Sequence, residues 1–299
     1  MVWIYGGAFF FGDSYMTGVY NARHLVETKN VILVTINYRV GAFGFFDTDE
    51  TGANFGIEDQ RMAFEWIQRN IAGFHGDPKR VTIYGLSAGA TSTAVHLTSP
   101  LTRPGLFSRV IHQSGPLGTQ MRERHDIQKA SRNLARALNC LKQDGETVDI
   151  QCMRSVSMKQ ILVATKQSLT DPKSRPESKT SIPNASDLDE QAPDDHVSKE
   201  LGDQYLWWPS IDGKNIIGQP RDLIRDGLYL HDIPVIFGVM HDEGYLYSFN
   251  NVYQFIIVEL TGCSLWPTCL KEVNVKRSLV LIKQPNITIF AVHLEKTRI

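Results

Sequence analysis

Gly85-Leu86-Ser87-Ala88-Gly89 sets one serine between two glycines in the spacing G-x-S-x-G. Chain of this kind can turn sharply from a strand into a helix and leave the hydroxyl exposed at the apex. A serine so placed can attack a carbonyl carbon, given a base to take its proton and N–H donors to receive the negative charge. The motif alone is a weak signal, and its surroundings strengthen it. Val81-Thr82-Ile83-Tyr84 reads as a buried strand leading in, and the small residues Ala88, Gly89 and Ala90 open a helix leading out.

Two further groups could complete such chemistry. Gly6-Gly7-Ala8 follows the apolar run Met1-Val2-Trp3-Ile4-Tyr5, and small residues there let backbone N–H groups approach a developing oxyanion. They would act beside the N–H of Ala88, each donor contributing about 3 kcal/mol in the transition state. His241-Asp242-Glu243-Gly244 follows a run ending at Val239. An acid in that loop, downstream of the serine, would hold a histidine in one tautomer and stabilise its charged form. Spacing does not choose between Asp242 and Glu243.

The elements that must position these groups alternate along the chain. Val31–Ile36 is a short β-branched run of the sort buried on both faces of a sheet. Residues 57–72 follow a helical period, with Ile57, Met62, Trp66, Ile67 and Ile71 broadly on one side. Gly76-Asp77-Pro78 is a turn, Arg109–Gln113 a strand, 124–139 a helix and Ile233–Val239 another strand. Repeated β-α-β units predict an α/β fold, a mostly parallel sheet flanked by helices. From Gln167 to Asp203 the chain is polar and lacks aromatic residues, which predicts a flexible surface insertion rather than a domain. Beyond about residue 260 the pattern is lost.

Composition narrows the function classes. Thirty-one basic side chains against 32 acidic ones leave no electrostatic footprint for nucleic acid or an anionic membrane. No apolar run reaches the roughly 18 residues that span a bilayer. The chain opens in what reads as a buried strand, not a signal peptide, so residues are expected to precede it. None of the four cysteines, Cys140, Cys152, Cys263 and Cys269, has C-x-x-C spacing, which argues against zinc. Two glycosylation sequons begin at Asn184 and Asn286 and tilt the reading towards a secreted, disulfide-bearing protein.

From Met1 to about Phe249 the sequence resembles the type-B carboxylesterase and cholinesterase family, which has the α/β-hydrolase fold. The matching stretches are Val2-Trp3-Ile4-Tyr5-Gly6-Gly7, Asn37–Gly44, Asn54-Phe55-Gly56 with Asp59-Gln60, the serine motif, Gln113-Ser114-Gly115 and Asp242-Glu243-Gly244. The resemblance implies a core over 1–260, incomplete at both ends, with an insertion at about 167–203 and an atypical tail over 261–299. It implies Ser87 as nucleophile, Glu243 as the triad acid, and the amides of Gly7, Ala8 and Ala88 as the oxyanion hole. Ser114 would support the acid, and Cys140 and Cys152 would form the family's small disulfide loop. A small-molecule ester substrate, secretion, and no metal or organic cofactor are implied with them.

The sequence also departs from the family. Leu86 stands where a glutamate usually precedes the nucleophile, which argues against choline esters and for neutral ones. Tyr205, Trp207 and Trp208 fall near the family's acyl pocket, though core packing explains them equally well. Only His293 follows Glu243, and Ile287–Leu294 reads as a strand rather than the family's histidine loop. The chain as written is therefore expected to lack a working triad. The alternative is a catalytically dead, cholinesterase-like recognition or adhesion domain.

Overall fold

A computed structural model of the chain describes residues 1–15, 22–115, 119–170, 207–240, 279–284 and 287–293, the last two segments as backbone. Seven of its strands form one sheet: β1 (Val2–Ile4), β2 (Val34–Thr35), β3 (Thr82–Leu86), β4 (Arg109–Gln113), β7 (Pro234–Met240), β8 (Leu279–Gln284) and β9 (Ile287–His293). Their spatial order is β2-β1-β3-β4-β7-β9-β8. The first five run parallel, and β9 and β8 continue the sheet as an antiparallel hairpin. Two two-residue strands, β5 (Arg122–Glu123) and β6 (Ser210–Ile211), pair apart from it.

Apolar strand residues and helices build one core. Ile4, Ile83, Val110 and Val235 are buried at successive strands of the parallel part. Helix α4 (Ala88–Thr98) packs along β1, β3 and β4, and every one of its residues is buried. Its small side chains explain how a helix fits there without an exposed polar face. Helix α3 (Phe55–Asn70) and α5 (Arg124–Ala137) join the same core through Ile57, Phe64 and Ile67, and through Ile127 and Leu134. The remaining helices are α1 (Arg23–Lys29), α2 (Ala42–Phe45), α6 (Ile150–Ser155), α7 (Met158–Thr170) and α8 (Pro220–Arg225).

Three local expectations are corrected. Val31–Ile36 yields only the two-residue β2, and residues 31–35 are half-buried, because among the described residues β2 pairs on one side only, with β1. Met62 and Trp66 are exposed. At 100° per residue they lie opposite Ile57, Gln60, Phe64 and Ile67, the side that α3 buries. The polar insertion begins inside α7, which stays helical to Thr170.

Cys140 and Cys152 form a disulfide, with Cα atoms 5.4 Å apart. It closes a small apolar cluster of Ala135, Val148 and Ile150. Cys263, Cys269, Asn184, Asn286, Tyr205, Asp242 and Glu243 lie outside the described residues. Among the described residues no helix is long and apolar enough to cross a membrane.

Candidate active site

Ser87 sits between β3 and α4 with φ 55° and ψ −119°, a conformation that L-residues avoid. Strain of this kind costs on the order of 1–3 kcal/mol and persists only where neighbours hold it. The hold is visible on both sides. The Ser87 N–H donates to the Gln113 carbonyl at 2.9 Å, and the Ser87 carbonyl accepts from the Thr91 N–H at 2.9 Å. The turn is tight enough to demand its second glycine: a Cβ on Gly89 would lie 2.0 Å from the Ile4 carbonyl oxygen. The serine itself remains partly exposed at the sheet's edge.

The Gly6-Gly7-Ala8 turn lies against this elbow. A Cβ on Gly6 would come within 3.2 Å of the Ser87 Cβ and 2.7 Å of the Leu86 carbonyl oxygen. Gly7, Ala8 and Phe9 all have positive φ, so the chain coils left-handedly past the nucleophile. The Gly7 carbonyl accepts from the N–H groups of Phe10 and Phe11, which closes the coil. Among the described residues, no acceptor takes the N–H groups of Gly7, Ala8 or Ala88. The amide of Ala88 adjoins the partly exposed serine along the chain, and those of Gly7 and Ala8 follow the Gly6 that packs against it.

Aromatic and polar pairs hold these turns in place. Tyr5 and Tyr38 stack at 4.3 Å, and each hydroxyl donates to the other's carbonyl, at 2.7 and 2.8 Å. Burial pushes the Tyr5 phenol up to about 12, so it remains a donor at every working pH. Behind α4, His96 donates from Nε2 to the Gln60 side-chain oxygen, the Gln60 amide donates to Ser92, and Ser92 donates to the Ala88 carbonyl. Burial, then the nearby Arg61 charge, pushes His96 down to about 3 and keeps it neutral. His112, also fully buried, is pushed down to about 4 by burial, partly offset by the Gly115 and Ala90 carbonyls.

Ser114, at φ 49°, donates its N–H to the Gly238 carbonyl at 2.8 Å, bringing the Gln-Ser-Gly turn beside the end of β7. From there the chain has three residues to run to Glu243. Trp207 is fully buried and stacked near Phe46, so it belongs to the core. Trp208 sets its edge against Phe9, at 4.8 Å between ring centroids. Reading by motif missed Phe9 and His112. The positive φ of Phe9 leaves no trace in its residue type, whereas a histidine inside the apolar run Arg109–Gln113 was a visible anomaly.

None of the histidines whose side chains are described hydrogen-bonds to the Ser87 hydroxyl. His96 and His112 are committed elsewhere, and His75 and His125 are exposed. His293 ends β9, opposite Pro234 at the start of β7. Among the described residues no group of three His, Cys, Asp or Glu side chains could hold a metal ion.

The profile of the carboxylesterase family matches residues 1–266. Mouse cholinesterase is 34% identical over 249 residues, which cover 82% of this chain and 36% of that protein. Acetylcholinesterase of Electrophorus electricus is 45% identical over 161 residues, covering 52% of this chain and 25% of that one. Among solved structures, a thermophilic pNB esterase superposes with TM-score 0.63 at 28% identity, covering 82% of this chain and 44% of its own. The chain thus spans between 25% and 44% of the length of these relatives.

Proposed function

The chain belongs to the carboxylesterase family, and from that premise we propose that it is a carboxylic ester hydrolase acting through a serine acyl-enzyme on neutral esters. The observation that carries this reading is the strained Ser87 packed against the Gly6-Gly7-Ala8 turn. In the first step Ser87 Oγ bonds to the acyl carbon and gives up its proton to a base. The carbonyl oxygen, now negative, takes hydrogen bonds from the amides of Gly7, Ala8 and Ala88. The C–O bond to the alcohol then breaks, the alcohol leaves with the proton, and an acyl-serine remains. Water repeats the cycle and releases the acid.

Glu243 is assigned as the acid that orients the base, with Ser114 supporting it from the neighbouring turn. Preference for neutral esters is supported by Leu86, an apolar side chain 37% exposed directly before the nucleophile, where a carboxylate would attract a cation. Export to an oxidising compartment is supported by the Cys140–Cys152 bridge. A second reading, a recognition or adhesion domain without turnover, is favoured by one observation. His293, which follows Glu243, stands at the far end of the sheet from Ser87.

A fluorophosphonate probe and a neutral aryl ester together test both readings. Esterase function predicts labelling at Ser87, its loss in Ser87→Ala, and turnover that follows the label and exceeds that of a choline ester. Labelling that persists in Ser87→Ala would refute the assignment. Labelling without turnover would establish the second reading.

A further inference from the structure

Directly behind the elbow lies a fully buried imidazole that the ester chemistry does not use. His112 is the fourth residue of β4, with its Nε2 on the Gly115 carbonyl and its Nδ1 3.0 Å from the Thr93 hydroxyl. That hydroxyl is also 2.7 Å from the Ala90 carbonyl. The Phe237 ring covers the imidazole, with centroids 5.1 Å apart. The row of atoms Gly115 O, Nε2, Nδ1, Thr93 Oγ1 and Ala90 O therefore contains three links, each needing one hydrogen.

The imidazole and the Thr93 hydroxyl bring two hydrogens to these three links, so one of them must be shared. A carbonyl oxygen only accepts, so the Gly115 link requires the proton on Nε2. A neutral imidazole has no second N–H, so with the proton on Nε2 its Nδ1 accepts from the Thr93 hydroxyl, whose one hydrogen is shared with the Ala90 carbonyl. The Ala90 carbonyl lies inside α4 and has the helix's own ladder to satisfy it. The opposite tautomer would set the Nε2 lone pair against the Gly115 oxygen in a buried site, which is strongly unfavourable.

We propose that His112 is a positioning residue for Ser87, a brace that as the Nε2–H tautomer ties the Gln113–Gly115 turn to the first turns of α4. The proposal rests on the reading of Ser87 as nucleophile. Both ends of the brace touch what holds that serine. Gln113 accepts the Ser87 N–H. Gly115 is packed so closely that a Cβ there would lie 3.0 Å from the Ser87 carbonyl oxygen and 2.6 Å from the Ala90 Cβ. Ser114 between them reverses the chain at φ 49°. A turn this contorted, carrying the acceptor for a strained nucleophile, needs an anchor on its return arm, and the His112 Nε2–H supplies it.

Three measurements on the chain and its His112→Leu and His112→Gln variants test the brace. Imidazole nitrogen NMR at neutral pH is expected to show His112 as the Nε2–H tautomer. In His112→Leu, amide exchange at Ser87 and Ser114 is expected to quicken about tenfold, and fluorophosphonate labelling to slow about tenfold, with the amides of α5 unchanged. Glutamine presents an N–H at the Nε2 position and is expected to bring both back to within about threefold of the parent. If the leucine variant does not fold, His112→Asn replaces it, since its amide reaches Thr93 but not Gly115.

The Nδ1–H tautomer would overturn the proposal. So would parental exchange and labelling in the leucine variant, or acceleration spread evenly over the chain without rescue by glutamine. If even the parent chain takes no label, the nucleophile reading fails, while tautomer and amide exchange still decide the brace.

Discussion

Ser87 stores strain that its side chain does not need, because the backbone conformation, not the hydroxyl, is disfavoured. Glycine adopts φ 55°, ψ −119° without a Cβ clash, so Ser87→Gly is expected to stabilise the chain by about 1–2 kcal/mol while abolishing labelling. Ser87→Ala should abolish labelling with no such gain. Thermal unfolding of the three proteins checks this, and equal midpoints for the glycine and alanine variants would contradict it. The two buried histidines make a second residue-scale prediction. Their folded values, about 3 for His96 and about 4 for His112, lie below the unfolded value of 6.5, so the unfolded chain binds more protons in between. The stability from keeping them neutral is complete above pH 6.5 and is lost as pH falls from there towards about 4 for His112 and about 3 for His96. Each contributes a slope of about 1.4 kcal/mol per pH unit. Urea unfolding at pH 7.5, 6 and 5 should show it, and His96→Gln should flatten the dependence by about that amount.

At the scale of elements, the site depends on how closely α4 approaches β1. Gly89 faces backbone, not a flexible side chain, so an added methyl cannot be absorbed locally. Gly89→Ala is expected to cost about 3 kcal/mol in urea unfolding and to remove Ser87 labelling by displacing the elbow. A variant with parental stability would show that the helix can shift freely. The Cys140–Cys152 bridge acts on another element entirely. It ties the end of α5 to α6 around Ala135, Val148 and Ile150, away from the nucleophile. Replacing both cysteines with serine is expected to lower stability by about 3 kcal/mol on the chain-entropy argument. Labelling of the folded protein should be unchanged, as followed by the urea midpoint and by probe incorporation.

At the scale of the molecule, sheet direction decides which groups can meet. The parallel strands β1, β3, β4 and β7 deliver Gly6, Ser87, Ser114 and Met240 to one edge, because their C-terminal ends all point there. Strand β9 runs the other way. Leu86 aligns through Gln113 and Gly238 with Ile289, and His293 lies four residues further towards the opposite edge. Four residues along a strand and three strands across separate its backbone from the elbow by roughly 19 Å. A base must come within about 3 Å of the serine oxygen, or reach it through one water. His293→Ala is therefore expected to leave labelling and any aryl-ester hydrolysis within about twofold of the parent. A tenfold loss would mean that the tail docks differently.

The sequence by itself determined the α/β class, the elbow at Ser87 and the glycine turn at Gly6-Gly7. These are local matters: a buried strand reads as a β-branched run, and a crowded turn admits only small residues. It also located most elements, since Arg109–Gln113 appears as β4 with the same bounds. It misjudged Met62 and Trp66, because an apolar residue on a helix does not state which side meets the core. It overestimated β2, because a run such as Val31–Ile36 does not reveal whether one neighbour or two will pair with it. Only the tertiary structure decided that β2 has one partner among the described strands, that His293 lies at the wrong end of the sheet, and that His112 braces the elbow. Each depends on partners distant in sequence, such as Pro234 facing His293 and Thr93 facing His112, and no spacing within a single segment encodes those meetings.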